Sequence, residues 1–152
     1  MNIVVTVGID ESIEEVVSLL EIESDDQNAV TVILHGFGGM GKTTLADAVV
    51  SKDTVVSKLV GFKYSKLRMR EDSVIVNLQK EILEDLMEPG DTISKIKTHQ
   101  DGQRELRKRL EQVQAFIYID DVLDRDALKK LLPMDMTTTK KVRLLLTARD
   151  KN

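Results

Sequence analysis

The stretch Gly36-Phe37-Gly38-Gly39-Met40-Gly41-Lys42-Thr43 matches G-x-x-x-x-G-K-[ST] at every fixed position. That order of residue types suits one task, which is holding a polyphosphate. Successive backbone N–H groups can converge on phosphate oxygens only where side chains do not obstruct the concavity, so glycine recurs at Gly36, Gly38, Gly39 and Gly41, with Met40 contributing its main chain. A helix beginning near Lys42 and continuing through Thr44 adds unpaired N–H groups and the positive end of its dipole. Lys42 would bridge the β- and γ-phosphates as a mobile point charge, and the Thr43 hydroxyl would ligate Mg²⁺. The competing reading is a glycine-rich strand-to-helix turn with a solvated lysine. Context disfavours it, because an apolar run precedes the glycines and a helix-forming stretch follows.

A second group of residues complements the first. Phe116-Ile117-Tyr118-Ile119-Asp120-Asp121 is an apolar strand running into two acids, a rail that would deliver a carboxylate to the C-terminal edge of a sheet, where ligands bind in open α/β folds. Asp120 would hold Mg²⁺ through coordinated water, and Asp121 would orient or deprotonate an attacking water. An acid after a strand also serves as a helix N-cap; the upstream phosphate loop favours the metal role. Leu144-Leu145-Leu146-Thr147-Ala148-Arg149-Asp150 is a further strand with a polar tip. Arg149 either reads a terminal phosphate through its bidentate guanidinium or pairs with Asp150 at the surface.

Those residues need a scaffold. The 152 residues, 41% hydrophobic and 32% charged, suffice for one domain with its own core and are too polar for a membrane protein. No apolar run approaches the ~20 residues that span a bilayer, and Met1–Val7 lacks the features of a secretory signal. Cysteine is absent, which excludes disulfides and thiolate metal sites. A net charge of −4 gives no global reason to expect nucleic-acid binding. His35 and His99 lack ligand spacing, and read as a strand end and a loop residue.

Short β-branched runs at Ala29–His35, Phe62–Met69, Ala115–Ile119 and Val142–Leu146 predict four strands. Between them lie helical stripes. Ile13, Val16, Val17 and Leu20 share one face, with Ser12 and Glu15 at capping-box spacing, and Val74, Leu78, Ile82 and Leu86 form another ending at Pro89-Gly90. A charged helix is expected near Gln103–Gln112, with Leu106 and Leu110 inward, and a last one from Asp124 through Leu132, stopped by Pro133. Alternating strands and helices imply a parallel sheet covered by helices.

Taken together these blocks resemble the NB-ARC nucleotide-binding module of plant NLR (NBS-LRR) disease-resistance proteins, STAND-class P-loop NTPases, and more distantly the apoptosome ATPases. GFGGMGKTT resembles the family's phosphate loop, FIYIDDV its kinase-2 motif, LLLTARD its RNBS-B motif, and VGIDESIEEVVSLL the segment before the module. HGFGGMGKTTLADAV and VRLLLTARD are nearer to moss and liverwort versions. The resemblance implies a three-layer αβα P-loop fold, with residues 1–28 as an adenine-side segment and helix and 29–152 as the phosphate-binding subdomain. Backbone groups of Val7, Gly8 and Ile9 would meet the adenine. Family strand order would put Val142–Leu146 between Ala29–His35 and Ala115–Ile119, so that Arg149 senses phosphate beside Lys42 and Asp120.

Departures accompany the likeness. Val122 is followed by Leu123 where the family commonly has Trp, and Thr-Ala-Arg stands for Thr-Thr-Arg. The family pattern continues with another strand, ARC subdomains and repeats, so the fold is expected to be truncated after its fourth core strand. Ala29–His35 would then be a bare, aggregation-prone edge. The function implied is an ADP/ATP-binding switch with Mg²⁺ in a cytoplasmic immune receptor, with slow ATP hydrolysis at most. Its partners would be the ARC and repeat regions in cis and a receptor oligomer. A true P-loop ATPase or phosphotransferase, or a receptor fragment that binds nucleotide weakly, are the alternatives.

Overall fold

In a computed structural model of the chain, residues 2–8, 13–21, 29–36, 42–51, 61–65, 72–86, 93–122, 125–133 and 140–149 are described. Five strands, β1 (Asn2–Gly8), β2 (Ala29–Gly36), β3 (Gly61–Ser65), β4 (Ala115–Val122) and β5 (Val142–Arg149), form one sheet in the order β1-β2-β5-β4-β3. Every pairing is parallel. Parallel neighbours need crossovers long enough to return the chain to the same edge, and the helices between the strands supply them. These are α1 (Ile13–Leu19), α2 (Lys42–Val50), α3 (Asp72–Leu86), α4 (His99–Leu110) and α5 (Arg125–Leu131).

The central strands are apolar on both sides because both faces are covered. Val30, Val32, Leu34, Phe116, Tyr118 and Leu145 face one layer, where Val16 and Leu20 of the α1 segment and Ala46 and Val49 of α2 close over them. Ala29, Ile117, Ile119, Val142, Leu144 and Leu146 face the other, which holds α3, α4 and α5. The result is the three-layer αβα arrangement.

One expectation is overturned. The sheet has a fifth strand where the apolar runs predicted four, because Asn2–Gly8 pairs with β2 in register from Asn2 opposite Ala29 to Gly8 opposite His35. Its β-branched content, Ile3, Val4, Val5, Thr6 and Val7, explains the extended conformation. β2 is therefore hydrogen-bonded on both sides, to β1 and β5. The reason for expecting a bare apolar edge at Ala29–His35 falls away; among the described residues the outer strands are β1 and β3.

Smaller differences are local. β3 covers Gly61–Ser65, and residues 66–69 lie outside the described residues, as do Ser12, Asp124 and Pro89-Gly90. β4 and β5 each run three residues beyond the predicted ends, to Val122 and Arg149. α4 begins at His99, so this histidine opens a helix instead of lying in a loop. Its start is fixed by a capping box that uses aspartate. Asp101 N–H donates to Thr98 Oγ1 at 3.2 Å, and Asp101 Oδ2 accepts from the amides of Thr98 and Lys97, each at 3.2 Å. At the opposite end of the sheet from the phosphate-loop motif, buried Arg143 donates from Nη2 to the carbonyl of Glu21 at 3.2 Å and holds the turn after α1.

The α3–α4–α5 layer is tied by one polar side chain. Gln79 is fully buried, and its Nε2 lies 3.0 Å from the carbonyl oxygen of His99, 3.2 Å from that of Lys130 and 3.1 Å from that of Leu131. Gly102 makes room for it, since a Cβ there would sit 2.0 Å from Gln79 Oε1.

Helix propensity alone favours Gly102→Ala by about 0.8–1 kcal/mol, but displacing the buried amide costs more, so the variant should lose about 1–2 kcal/mol net in denaturant melts. In Gln79→Ala/Gly102→Ala the losses should fall well short of additive, because the methyl enters vacated space; strict additivity would contradict the packing. The backbone amides of Lys97 and Thr98 hold the Asp101 carboxyl below its ordinary 3.8. Its stabilising effect is then complete above about pH 4 and fades as pH falls through the lowered native value. The melting-temperature gap between wild type and Asp101→Asn should close on going from pH 5 to pH 2; a constant gap would contradict the assignment.

Candidate functional site

Because all five strands run the same way, their C-terminal ends share one edge. Register aligns that edge residue by residue. Gly8 lies opposite His35, His35 opposite Ala148, and Gly36, the first glycine of the phosphate-loop motif, opposite Arg149. β5 stands between β2 and β4, as the resemblance implied, so the β4 acids lie about 10 Å from the β2 column, two interstrand spacings. This is also where the topology reverses, since β2 leads outward to β3 and the chain returns through β4 to β5. Such a switch point opens a crevice at the carboxyl ends of the strands.

α2 starts at Lys42, six residues after Gly36, and packs across β2, β5 and β4. A helix that follows a strand so closely must begin at the edge where the strand ends. Lys42, Thr43 and Thr44 are its first three residues, so the helix N-terminus meets the same edge as Arg149 and the β4 acids. Phe37, Gly38, Gly39, Met40 and Gly41 lie outside the described residues, as do Ile9 and Asp150; Val7 and Gly8 end β1.

The pair Asp120-Asp121 sits on an irregularity. Ile119 pairs with Leu146 and Val122 with Ala148, so two β4 residues, Asp120 and Asp121, stand against the single residue Thr147. A bulge of this kind re-aims side chains at the end of a ladder. It also answers the N-cap alternative, because both acids belong to the strand and α5 does not begin until Arg125.

Asp120 is held from its neighbours. Thr147, 1% exposed, donates its hydroxyl to Asp120 Oδ1 at 2.5 Å. Buried Tyr118, two residues before Asp120 on the same face, brings its phenol beside the carboxylates of both Asp120 and Asp47 of α2. Burial, then the negative charges of Asp120 and Asp47, push that phenol well above the ordinary tyrosine range.

The surroundings that Thr147, Tyr118 and Asp47 give Asp120 and its strand escaped sequence reasoning. Each leaves a faint trace: a hydroxyl residue in the aliphatic run LLLTA, a phenol breaking FIYI, and an acid within the otherwise apolar LADAVV. None marks its partner, because the approaches of Thr147 to Asp120 and of Tyr118 to Asp47 cross between elements far apart in the chain.

The comparisons with known proteins agree with this layout. Residues 9–152 match the family model described as NB-ARC domain. The chain is 30% identical over 148 residues to the probable disease resistance protein RF45 of Arabidopsis thaliana, covering 96% of this chain and 14% of that protein. It is 28% identical over 146 residues to disease resistance protein RPV1 of Vitis rotundifolia, covering 96% of this chain and 10% of that protein. With the probable disease resistance RPP8-like protein 2 of Arabidopsis thaliana it shares 35% identity over 133 residues, 84% of this chain and 14% of the relative. The chain thus spans only 10–14% of the length of these relatives. With the family model covering nearly all of its residues, and with the αβα sheet and edge described above, the chain belongs to the NB-ARC domain family.

Proposed function

We propose that this chain is the phosphate-binding part of an ADP/ATP-dependent switch in a plant defence receptor. The observation that supports it most is the shared edge, where Gly36, the N-terminus of α2, the Asp120-Asp121 bulge and Arg149 come together in register. In this reading main-chain amides from Gly36 to Thr44 cradle the phosphates, Lys42 bridges the β- and γ-groups, and the backbone of Val7, Gly8 and Ile9 meets the adenine. Arg149, one strand away from Gly36, reads the γ-phosphate and so distinguishes ATP from ADP.

Residues at the edge suit Mg²⁺. The donors are hard oxygens, the Asp120 carboxylate and the Thr43 hydroxyl, and an ionised carboxylate keeps acceptor capacity after one hydroxyl has bonded to it. Bound there, the cation would neutralise charge on the phosphates. Asp121 orients the attacking water, and hydrolysis resets the switch slowly.

The wider reading places the module in the cytoplasm, with ARC and repeat regions in cis and a receptor oligomer as partners. The names of the relatives, all disease resistance proteins, support the defence role. No helix among the described residues is long and apolar enough to cross a membrane.

Calorimetric titration with ATP and ADP tests the site. Loss of one charge-assisted contact is worth about 1.5–3 kcal/mol, so Lys42→Ala should weaken both nucleotides by roughly 10- to 100-fold or more; wild-type affinity would overturn the assignment. Arg149→Ala should weaken ATP about tenfold while leaving ADP nearly unchanged. Asp121→Ala should bind ATP as wild type does and slow single-turnover hydrolysis by about 100-fold or more. Hydrolysis at the wild-type rate would remove Asp121 from the chemistry.

A further inference from the structure

Asp120 comes from a bulge, and a bulge frees a side chain from the ladder without fixing where it points. A metal ligand must be fixed. Thr147 of β5 meets this carboxylate through its hydroxyl, and the residue is only 1% exposed. The hydroxyl therefore does not exchange freely with water, and its surroundings set where it points.

We infer that Thr147 is a positioning residue that holds the Asp120 carboxylate in its cation-binding orientation. This rests on the nucleotide reading above and extends it to a residue outside the phosphate loop and the acid pair. Thr147 fixes one oxygen of the carboxylate through a 2.5 Å hydrogen bond, which restricts rotation about the terminal torsion and aims the second oxygen.

The alternative is that the Thr147 hydroxyl only satisfies buried polarity. Outer partners of a metal ligand typically affect metal affinity by 10- to 100-fold, whereas a purely structural role changes stability alone. The test follows ATP binding calorimetrically as a function of Mg²⁺ concentration, together with ATP binding in EDTA and thermal melts without nucleotide. For Thr147→Val the Mg²⁺ concentration at half-effect should rise at least tenfold, binding in EDTA should match wild type, and Thr147→Ser should restore the wild-type midpoint. Thr147→Ala, which removes the same hydroxyl with less bulk, should raise the midpoint to a similar extent. It serves as the second variant should Thr147→Val fail to fold. Unchanged Mg²⁺ midpoints in folded Thr147→Val or Thr147→Ala, alongside magnesium-dependent binding by wild type, would overturn the inference while leaving the nucleotide reading intact. Wild type that binds ATP without any dependence on Mg²⁺ would also overturn it. Absence of ATP binding by wild type would instead sink the nucleotide reading, and this inference with it.

Discussion

Everything at the candidate site depends on the parallel, in-register pairing of β2, β5 and β4. Parallel pairing alone puts the ends of three strands on one edge, and register then decides which residues meet there. Gly36 is opposite Arg149 because Ala29 is opposite Val142, and that pairing is fixed by the alternation of apolar residues toward two covered faces. A shift by one residue would exchange the two faces along the whole strand and turn Arg143 and Thr147 into the other core. The apolar cost of such a slip is spread over the entire sheet, so the site's alignment is guarded by residues that never approach a ligand.

The one departure from regular pairing falls at the acids. Regular pairing would place a single β4 residue opposite Thr147, and the bulge places two. Adjacent side chains on a regular strand point to opposite faces, and a bulge interrupts that alternation. Beside it, the buried Thr147 hydroxyl bonds the Asp120 carboxylate.

Much of the fold was legible in the chain because its signals are local. The run AVTVILH, the stripes of α1 and α3 and the inward Leu106 and Leu110 all come from residues whose burial follows from periodicity. The phosphate-loop motif and the acid pair were legible for the same reason, as fixed spacings within single segments. The four expected strands leave out β1 although Ile3, Val4, Val5 and Val7 are good strand formers, because its place in the sheet comes from pairing with β2, which a single short run does not encode. Thr147 and Asp120 are 27 residues apart in sequence, and their contact depends on the order of strands, which local pattern does not encode. The same holds for Gln79, whose burial against three backbone carbonyls has no counterpart in the apolar stripe of α3.

The central claim is that one edge of this sheet receives a nucleotide. Backbone amide NMR of the isotope-labelled chain, titrated with Mg²⁺ and ADP or ATP, addresses it directly. The account predicts shift changes concentrated at Gly36, Lys42–Thr44, Asp120-Asp121 and Thr147–Arg149, with Ala29, Ala115 and Val142 at the opposite edge unmoved. Changes centred on that opposite edge, or none at millimolar nucleotide, would contradict it.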